Sequence, residues 1–74
     1  MPLAMTKSGD NVVLKDISWG HRLKKRLQDM GLTPGVEIKV VSGNNRGAVI
    51  VSLRGSKLVL GRGMAQKILV ESIG

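Results

Sequence analysis

The residues from 22 to 41, RLKKRLQDMGLTPGVEIKVV, change their hydrophobic period within a few positions. Before Gly31, apolar residues recur every three or four positions, which is typical of one face of an α-helix. After Gly35, they recur at every second position, which is typical of a strand with one buried face. The chain must therefore fold with a short basic helix joined tightly to a β-strand.

The helix is predicted to span residues 19–30. Its apolar face would carry Trp19, Leu23, Leu27 and Met30, which are spaced by four, four and three positions. The other positions are filled mainly by cationic and polar residues, namely Arg22, Lys24, Lys25, Arg26 and Gln28. The segment is therefore expected to be amphipathic, with its charges on the side away from the core.

Both ends of this helix have recognisable signals. Ser18 is the predicted N-cap, because a serine side chain can accept a hydrogen bond from the first helical turn. Gly31 is the predicted C′ residue of a Schellman ending, in which Leu32 folds back on the last turn. Pro34 and Gly35 fit a type II turn, which requires a positive φ at its third residue. The helix should end there, and a strand should begin immediately.

Five short strands are predicted, over residues 11–17, 36–41, 48–54, 57–61 and 67–72. Leu3 and Met5 alternate with polar neighbours and suggest a short lead-in strand. Gly55 and Ser56 suggest a two-residue hairpin turn with glycine first, and RGMAQ suggests a turn or a single helical turn. A sheet this small has to protect its edges, so we expect an all-β fold, a small five-stranded β-barrel with one short helix against one side.

The composition limits the functions open to such a barrel. The chain has 74 residues, which predicts a single domain over 1–74, and it has no cysteine, which excludes disulfides and thiolate metal sites. No stretch resembles a membrane span or a secretory leader, so the cytoplasm is the expected location. The formal net charge of +7 favours an anionic partner.

The order of these motifs resembles the ferrous iron transport protein A (FeoA) family. The resemblance rests on RLKKRLQDMGLTPGVEIKVV and LRGSKLVLGRGMAQKILVE, and within them on Arg26-Leu27-x-x-Met30-Gly31-Leu32-x-Pro34-Gly35. It implies an SH3-like barrel that works in bacterial ferrous iron uptake. The implied partner is the membrane permease with a GTPase domain (FeoB type), whose transport or nucleotide turnover the protein would regulate. It also implies peripheral contact with the inner face of the membrane, through that permease only.

No residue pattern indicates catalysis, a cofactor or a metal site. Ferrous iron prefers clustered histidine, carboxylate or thiolate ligands, and His21 stands among Arg22, Lys24 and Lys25 without a second ligand nearby. Met30 and Met64 are predicted to fill the core. General acid–base or nucleophilic catalysis would need a positioned partner for the single histidine. We therefore predict a protein that is not an enzyme and acts by binding.

The predicted partner-binding surface is the helix. Its candidate residues are Trp19, Arg22, Leu23, Lys25, Arg26 and Leu27. A basic face beside apolar anchors would suit an acidic surface of the permease or nearby lipid headgroups. The alternative is that the charges are only a solvated face and that the apolar residues pack on the barrel. For Leu27, the spacing favours the core.

Two other functions remain open. PGVEIKVVSGNNRG resembles part of an SH3-like nucleic-acid-binding module of the translation type, and the positive charge suits phosphate contacts. However, Trp19 is the only aromatic residue, which disfavours base stacking and also disfavours a groove for proline-rich peptides.

The loop at residues 44–47 is a second, weaker candidate surface. Short exposed strand edges would also allow a weak homo-oligomer.

Overall fold

Alternating β-branched residues form a five-stranded antiparallel sheet, as the sequence predicts. The computed structural model describes residues 1–18, 20–43 and 47–73, except for the side chain of His21. The strands are β1 (Asn11–Ile17), β2 (Glu37–Ser42), β3 (Val49–Leu53), β4 (Ser56–Leu60) and β5 (Ile68–Ser72), and their order in the sheet is β4-β3-β2-β1-β5. The helices are α1 (His21–Asp29) and the single turn α2 (Arg62–Ala65).

The core lies on the concave side of this sheet, because every second strand residue points inward. Val12, Ile38, Val51 and Val70, from four different strands, are each 0–1% exposed. They belong to one continuous apolar cluster. Its other members are Leu3, Leu14, Ile17, Leu27, Leu32, Val40, Val49, Leu53, Leu60, Ala65 and Ile68. A single cluster lined by all five strands confirms the predicted small SH3-like barrel.

The N-terminal segment closes the outer edge of β5, but not as the predicted lead-in strand. Leu3–Met5 form a 3₁₀ turn, because the Thr6 hydroxyl donates to the Leu3 carbonyl over 2.6 Å and the Thr6 N–H donates to the same oxygen. This turn buries Leu3 and leaves Met5 exposed. Within residues 1–6, all of which the structure describes, strand-like pairing occurs at the start, where the Met1 nitrogen donates to the Val70 carbonyl and the Val70 N–H donates back to the Met1 carbonyl.

The β3–β4 hairpin turns one residue earlier than predicted. Leu53 pairs with Ser56, so the two turn residues are Arg54 and Gly55 rather than Gly55 and Ser56. Arg54 has a φ of 51° and Gly55 a φ of 83°. Two consecutive positive φ values define a type I′ turn, whose twist matches that of the flanking strands. The prediction of a glycine-first turn was wrong because Arg54, a non-glycine residue, accepts the left-handed conformation.

Gly43 is the position where the barrel tolerates no side chain. A Cβ at this buried residue would lie 2.5 Å from the carbonyl oxygen of Thr6 and 2.9 Å from a methyl group of Val40. We expect Gly43→Ala to lower the free energy of unfolding by about 1–3 kcal/mol, because backbone has to move. Gly63→Ala is the control, since nothing lies within 4 Å of that position. Thermal denaturation of both variants measures the difference, and equal melting temperatures would contradict this prediction.

Candidate partner-binding surface

Helix α1 is shorter at its N-terminus than the sequence predicts. It begins at His21, and its N-cap is Gly20, which makes no side-chain cap. Ser18 is not the cap. Its N–H instead donates to the carbonyl of Lys67 over 2.7 Å, which fixes the segment before the helix to the turn before β5. The predicted contact residue Trp19 lies outside the described residues.

The C-terminal end of α1 follows the prediction closely. The Gly31 N–H donates to the Gln28 carbonyl, and the Leu32 N–H donates to the Leu27 carbonyl, each over 3.0 Å. Together with the Gly31 φ of 100°, these two bonds define a Schellman motif. The type II turn at 33–36 is also confirmed, since Gly35 has a φ of 90° and the Val36 N–H donates to the Thr33 carbonyl.

Met30 does not fill the core. It is the C-cap residue, and its side chain is 48% exposed. Because the chain reverses at Gly31, Leu32 takes the buried position above the last turn, and its exposure is 0%. The prediction for Met30 was wrong because it extended the helical period one residue past the end of the helix. Met64 is half-buried and packs against the core, as predicted.

The described cations of α1 divide into one paired lysine and three free ones. Lys24 is half-buried, and its amine lies 3.3 Å from the Asp16 carboxylate. Arg22, Lys25 and Arg26 are exposed and form no ion pair with any described residue. We call these three residues the basic face. Its cations are therefore free to meet an external anionic group.

The apolar side of α1 holds the helix to the barrel through few contacts. Leu27 is 2% exposed and belongs to the core, and Leu23 is half-buried against it. Leu27 is therefore not available at the free surface, and Leu23 only in part. The structure thus places Arg22, Lys25 and Arg26 together on the outside of the helix, and it separates them from the buried leucine of the predicted set.

The first turn of α1 concentrates positive charge. It contains no acidic residue, and its N-cap supplies no side-chain acceptor. The N-terminus of a helix also carries the positive end of the helix dipole, where cations are unfavourable by about 0.3–1 kcal/mol each. Arg22 at this end therefore adds to a positive potential instead of compensating it. Arg26, in the last turn, is placed favourably.

Asp16 is the acidic residue that anchors this region. The Ile17 N–H donates to its carboxylate over 2.8 Å, and Lys24 lies on the same oxygen. The bond from Ile17, and then the hydrogen bond and charge of Lys24, lower the pKa of Asp16 below its ordinary value of 3.8. Asp16 is exposed, so these contacts orient Lys24 more than they stabilise the fold.

The lowered pKa of Asp16 gives a pH dependence of known sign. A carboxyl whose pKa is lower when folded adds stability above its unfolded pKa, and this stability is lost as pH falls through the lowered folded value. We expect a carboxyl NMR titration to place Asp16 below 3.8 and to keep it below 3.8 in Lys24→Met, because the Ile17 bond is the larger cause. A return to the ordinary pKa in Lys24→Met would contradict this ranking.

Neither a metal site nor a membrane span is found among the described residues. Within residues 1–18, 20–43 and 47–73, no three His, Cys, Asp or Glu side chains come together as metal ligands. In the same ranges, no helix is long and apolar enough to cross a membrane. The His21 side chain lies outside the described residues, and so do residues 44–46 of the predicted second surface, the loop at 44–47.

Lys67 was missed by sequence reasoning. It is exposed in the turn before β5, and its carbonyl accepts the bond from Ser18 that positions the start of α1. The backbone of Lys67 therefore lies on the side of the barrel where α1 begins. Only the tertiary bond between residues 18 and 67 shows this, because no pattern in the sequence connects two positions so far apart.

Comparison with known proteins identifies the family. The family model of the FeoA domain matches residues 1–72. A protein of Methanocaldococcus jannaschii that carries the provisional name Fe(2+) transport protein A is 44% identical over 70 residues, which covers 95% of this chain and 84% of that protein.

Solved structures agree with this family and also show how widely the fold occurs. The crystal structure of an iron uptake regulatory protein (FeoA) superposes with a TM-score of 0.89 at 33% identity, over 99% of this chain and 97% of that one. A manganese-dependent transcriptional repressor superposes with a TM-score of 0.85 at 21% identity, and the match covers 99% of this chain and 41% of the repressor. The second likeness concerns the fold alone.

Proposed function

This chain belongs to the FeoA family, and on that premise we propose that it is an accessory protein of ferrous iron uptake. It binds the cytosolic side of a membrane permease that carries a GTPase domain, and it regulates transport or nucleotide turnover there. The iron is the cargo of the permease. The protein is cytoplasmic and reaches the inner face of the membrane through this partner.

The observation that carries the proposed mode of binding is the basic face. Arg22, Lys25 and Arg26 are exposed, lie on one short helix and have no described acidic partner. By contrast, the two described ion pairs use Lys15 and Lys24. Exposed cations with no internal partner attract an acidic surface during association and fix its orientation in the complex.

The placement of positive charge at the start of α1 also supports docking to an anion. The helix would be more stable with an acidic residue in its first turn, and it has none. An acidic surface on the permease would compensate both the helix dipole and Arg22. Binding would therefore relieve a repulsion that the isolated protein contains.

A second candidate is binding of nucleic acid, which the net charge of +7 favours. The same basic face would then contact phosphates. Affinity for nucleic acid falls steeply with salt, since each neutralised phosphate releases counterions. Steep salt dependence, with no requirement for a particular protein, would distinguish this function from docking to a permease.

Affinity capture tests the proposed function. The tagged protein is incubated with detergent-solubilised membranes after nuclease digestion, and bound proteins are identified by mass spectrometry at low and moderate salt. We expect the GTPase-bearing permease to be retained in both conditions. If the permease is absent while nucleic acid is retained in undigested samples, the second candidate is correct instead.

A further inference from the structure

The two outer edges of the sheet are treated differently by the fold. The edge of β5 is covered by the N-terminal segment, whose Met1 exchanges two hydrogen bonds with Val70. The edge of β4 is the other end of the sheet, and no described residue pairs with it. Unpaired edges of small sheets are normally shielded, because they can add another strand. An edge left open in a protein that protects its other edge indicates a binding surface.

The register of the hairpin shows which groups this edge offers. Leu53 and Ser56 flank the two-residue turn and form its first hydrogen-bonded pair, so bonded pairs recur at Leu58 and Leu60. The backbone N–H and C=O groups of Lys57 and Val59 therefore point away from β3, towards the open edge. Two donors and two acceptors at this spacing match the hydrogen-bonding groups of one extended peptide.

The side chains along the open edge combine apolar area with positive charge. Val59 is 68% exposed, more than any other large apolar residue described. Lys57 is exposed beside it. Ser52 in β3 pairs with Lys57 on one side and with Lys39 of β2 on the other, so the two lysines lie in one cross-strand row on the outer face. Glu37, in β2, and Glu71, in β5, are acidic residues of the outer face, but both pair with Val13 in β1, away from β4, and Glu71 is paired with Lys15. The edge is therefore suited to a segment with acidic side chains.

A groove runs beside the inner side of this edge. It has a volume of about 250 Å³ and lies between the end of α1 and the β3–β4 hairpin. Its lining includes Met30, Gly31, Leu58 and Arg54, with Asp29 as the acidic member. The half-exposed Met30 thus borders a groove that inward-facing apolar side chains of an added strand could fill.

We propose that the β4 edge and this groove bind an extended, acidic segment of a partner protein as an added strand. Alternate side chains of that segment would lie near Lys57 and in the groove beside Leu58. A second copy of this chain is disfavoured as the occupant, because each copy carries a formal net charge of +7. This surface lies apart from the basic face, and the proposal does not depend on the identity of the permease.

A synthetic peptide tests this proposal. The probe is an N-acetylated, C-amidated seven-residue peptide in which glutamate alternates with valine, and the control peptide has lysine in place of glutamate. We expect the acidic peptide to shift the NMR signals of β4 and to slow amide exchange of Lys57 and Val59. Signal changes confined to α1, or equal binding of the lysine peptide, would overturn the proposal.

Matched variants separate strand addition from general charge attraction. We expect Lys57→Glu to weaken binding about fivefold and Lys67→Glu, the same charge change on another face, to change it less than about twofold. Val59→Pro removes one edge donor that β3 does not use, so the fold should persist and binding should fall about tenfold. Thermal melting checks the fold of each variant. Equal effects of the two lysine substitutions would contradict the assignment.

Backbone methylation gives the sharpest distinction. One peptide is N-methylated on its glutamates and another on its valines. In an extended peptide, alternate N–H groups point to the same side, so each methylated peptide lacks the hydrogen-bond donors along one of its own two edges. Strand addition predicts that one isomer binds like the parent and the other does not, whereas charge attraction predicts equal binding.

Sedimentation of the protein alone completes the test, since dimers abolished by Val59→Pro would show that a second copy is the occupant. Failure of these tests would leave docking through α1 unaffected.

Discussion

A variant with Arg22, Lys25 and Arg26 all replaced by glutamate is expected to lose association with the permease and to fail to restore ferrous iron uptake in cells lacking the native protein. The three substitutions remove the basic face and change the formal net charge from +7 to +1. Reversal of three interface charges should weaken binding by about tenfold or more, because attraction becomes repulsion. Radioactive iron uptake and co-purification measure the two effects.

The fold of this variant should persist. Substitutions at exposed positions usually change stability by less than about 0.5 kcal/mol each. Glutamate at position 22 is also favourable near the helix N-terminus, and this offsets the loss of Arg26 from the last turn. The matched control replaces Lys7, Lys15 and Arg62 with glutamate, which gives the same net charge from exposed positions outside α1 and away from the β4 edge. Equal loss of uptake in the control would show that total charge, not the basic face, controls association.

Replacement of Leu3 by alanine is expected to destabilise the barrel strongly. Leu3 is 0% exposed and joins the core from outside the five strands. Truncation of a buried leucine costs about 2–5 kcal/mol, and the total stability of a chain this long is about 4–11 kcal/mol at ordinary values per residue. We therefore expect the melting temperature to fall by about 10 °C or more.

The comparison with Met5 makes the Leu3 prediction specific. Met5 lies in the same 3₁₀ turn but is 64% exposed, so Met5→Ala should leave the melting temperature nearly unchanged. Hydrogen exchange gives an independent measure, because the Val70 N–H donates to the Met1 carbonyl. This amide should exchange faster in Leu3→Ala. Similar melting temperatures for the two variants would mean that the N-terminal segment is not part of the core.

The elements that follow a local rule were predictable from the sequence. The alternation in β1, β2, β3 and β5 indicated their buried faces, and Gly31 with Leu32 indicated the Schellman ending. The failures occur where long-range contacts decide. The sequence suggested a strand at Leu3, whereas the structure has a 3₁₀ turn there. The conformation of this segment depends on contacts with distant residues of the sheet, which no local pattern indicates. The hairpin turn was misplaced because strand register, rather than the preference of Arg54, determines its conformation.

The candidate site was predictable in its charges but not in its surroundings. The sequence indicated Arg22, Lys25 and Arg26 together, and their common exposure on α1 agrees with the helical spacing. It could not show that Lys24 is paired with Asp16, because the partner comes from another element. Nor could it show that the β4 edge is open, since the order of strands in the sheet follows from the whole fold.

Direct titration of the purified permease, held in lipid nanodiscs, tests the central claim that this protein acts by docking its basic face on a larger partner. The native protein and the variant with glutamate at positions 22, 25 and 26 are compared by calorimetry. Saturable binding of the native protein, with affinity reduced about tenfold or more in the variant, is the predicted result. Equal affinities for the two proteins, or no binding by either, would contradict the claim.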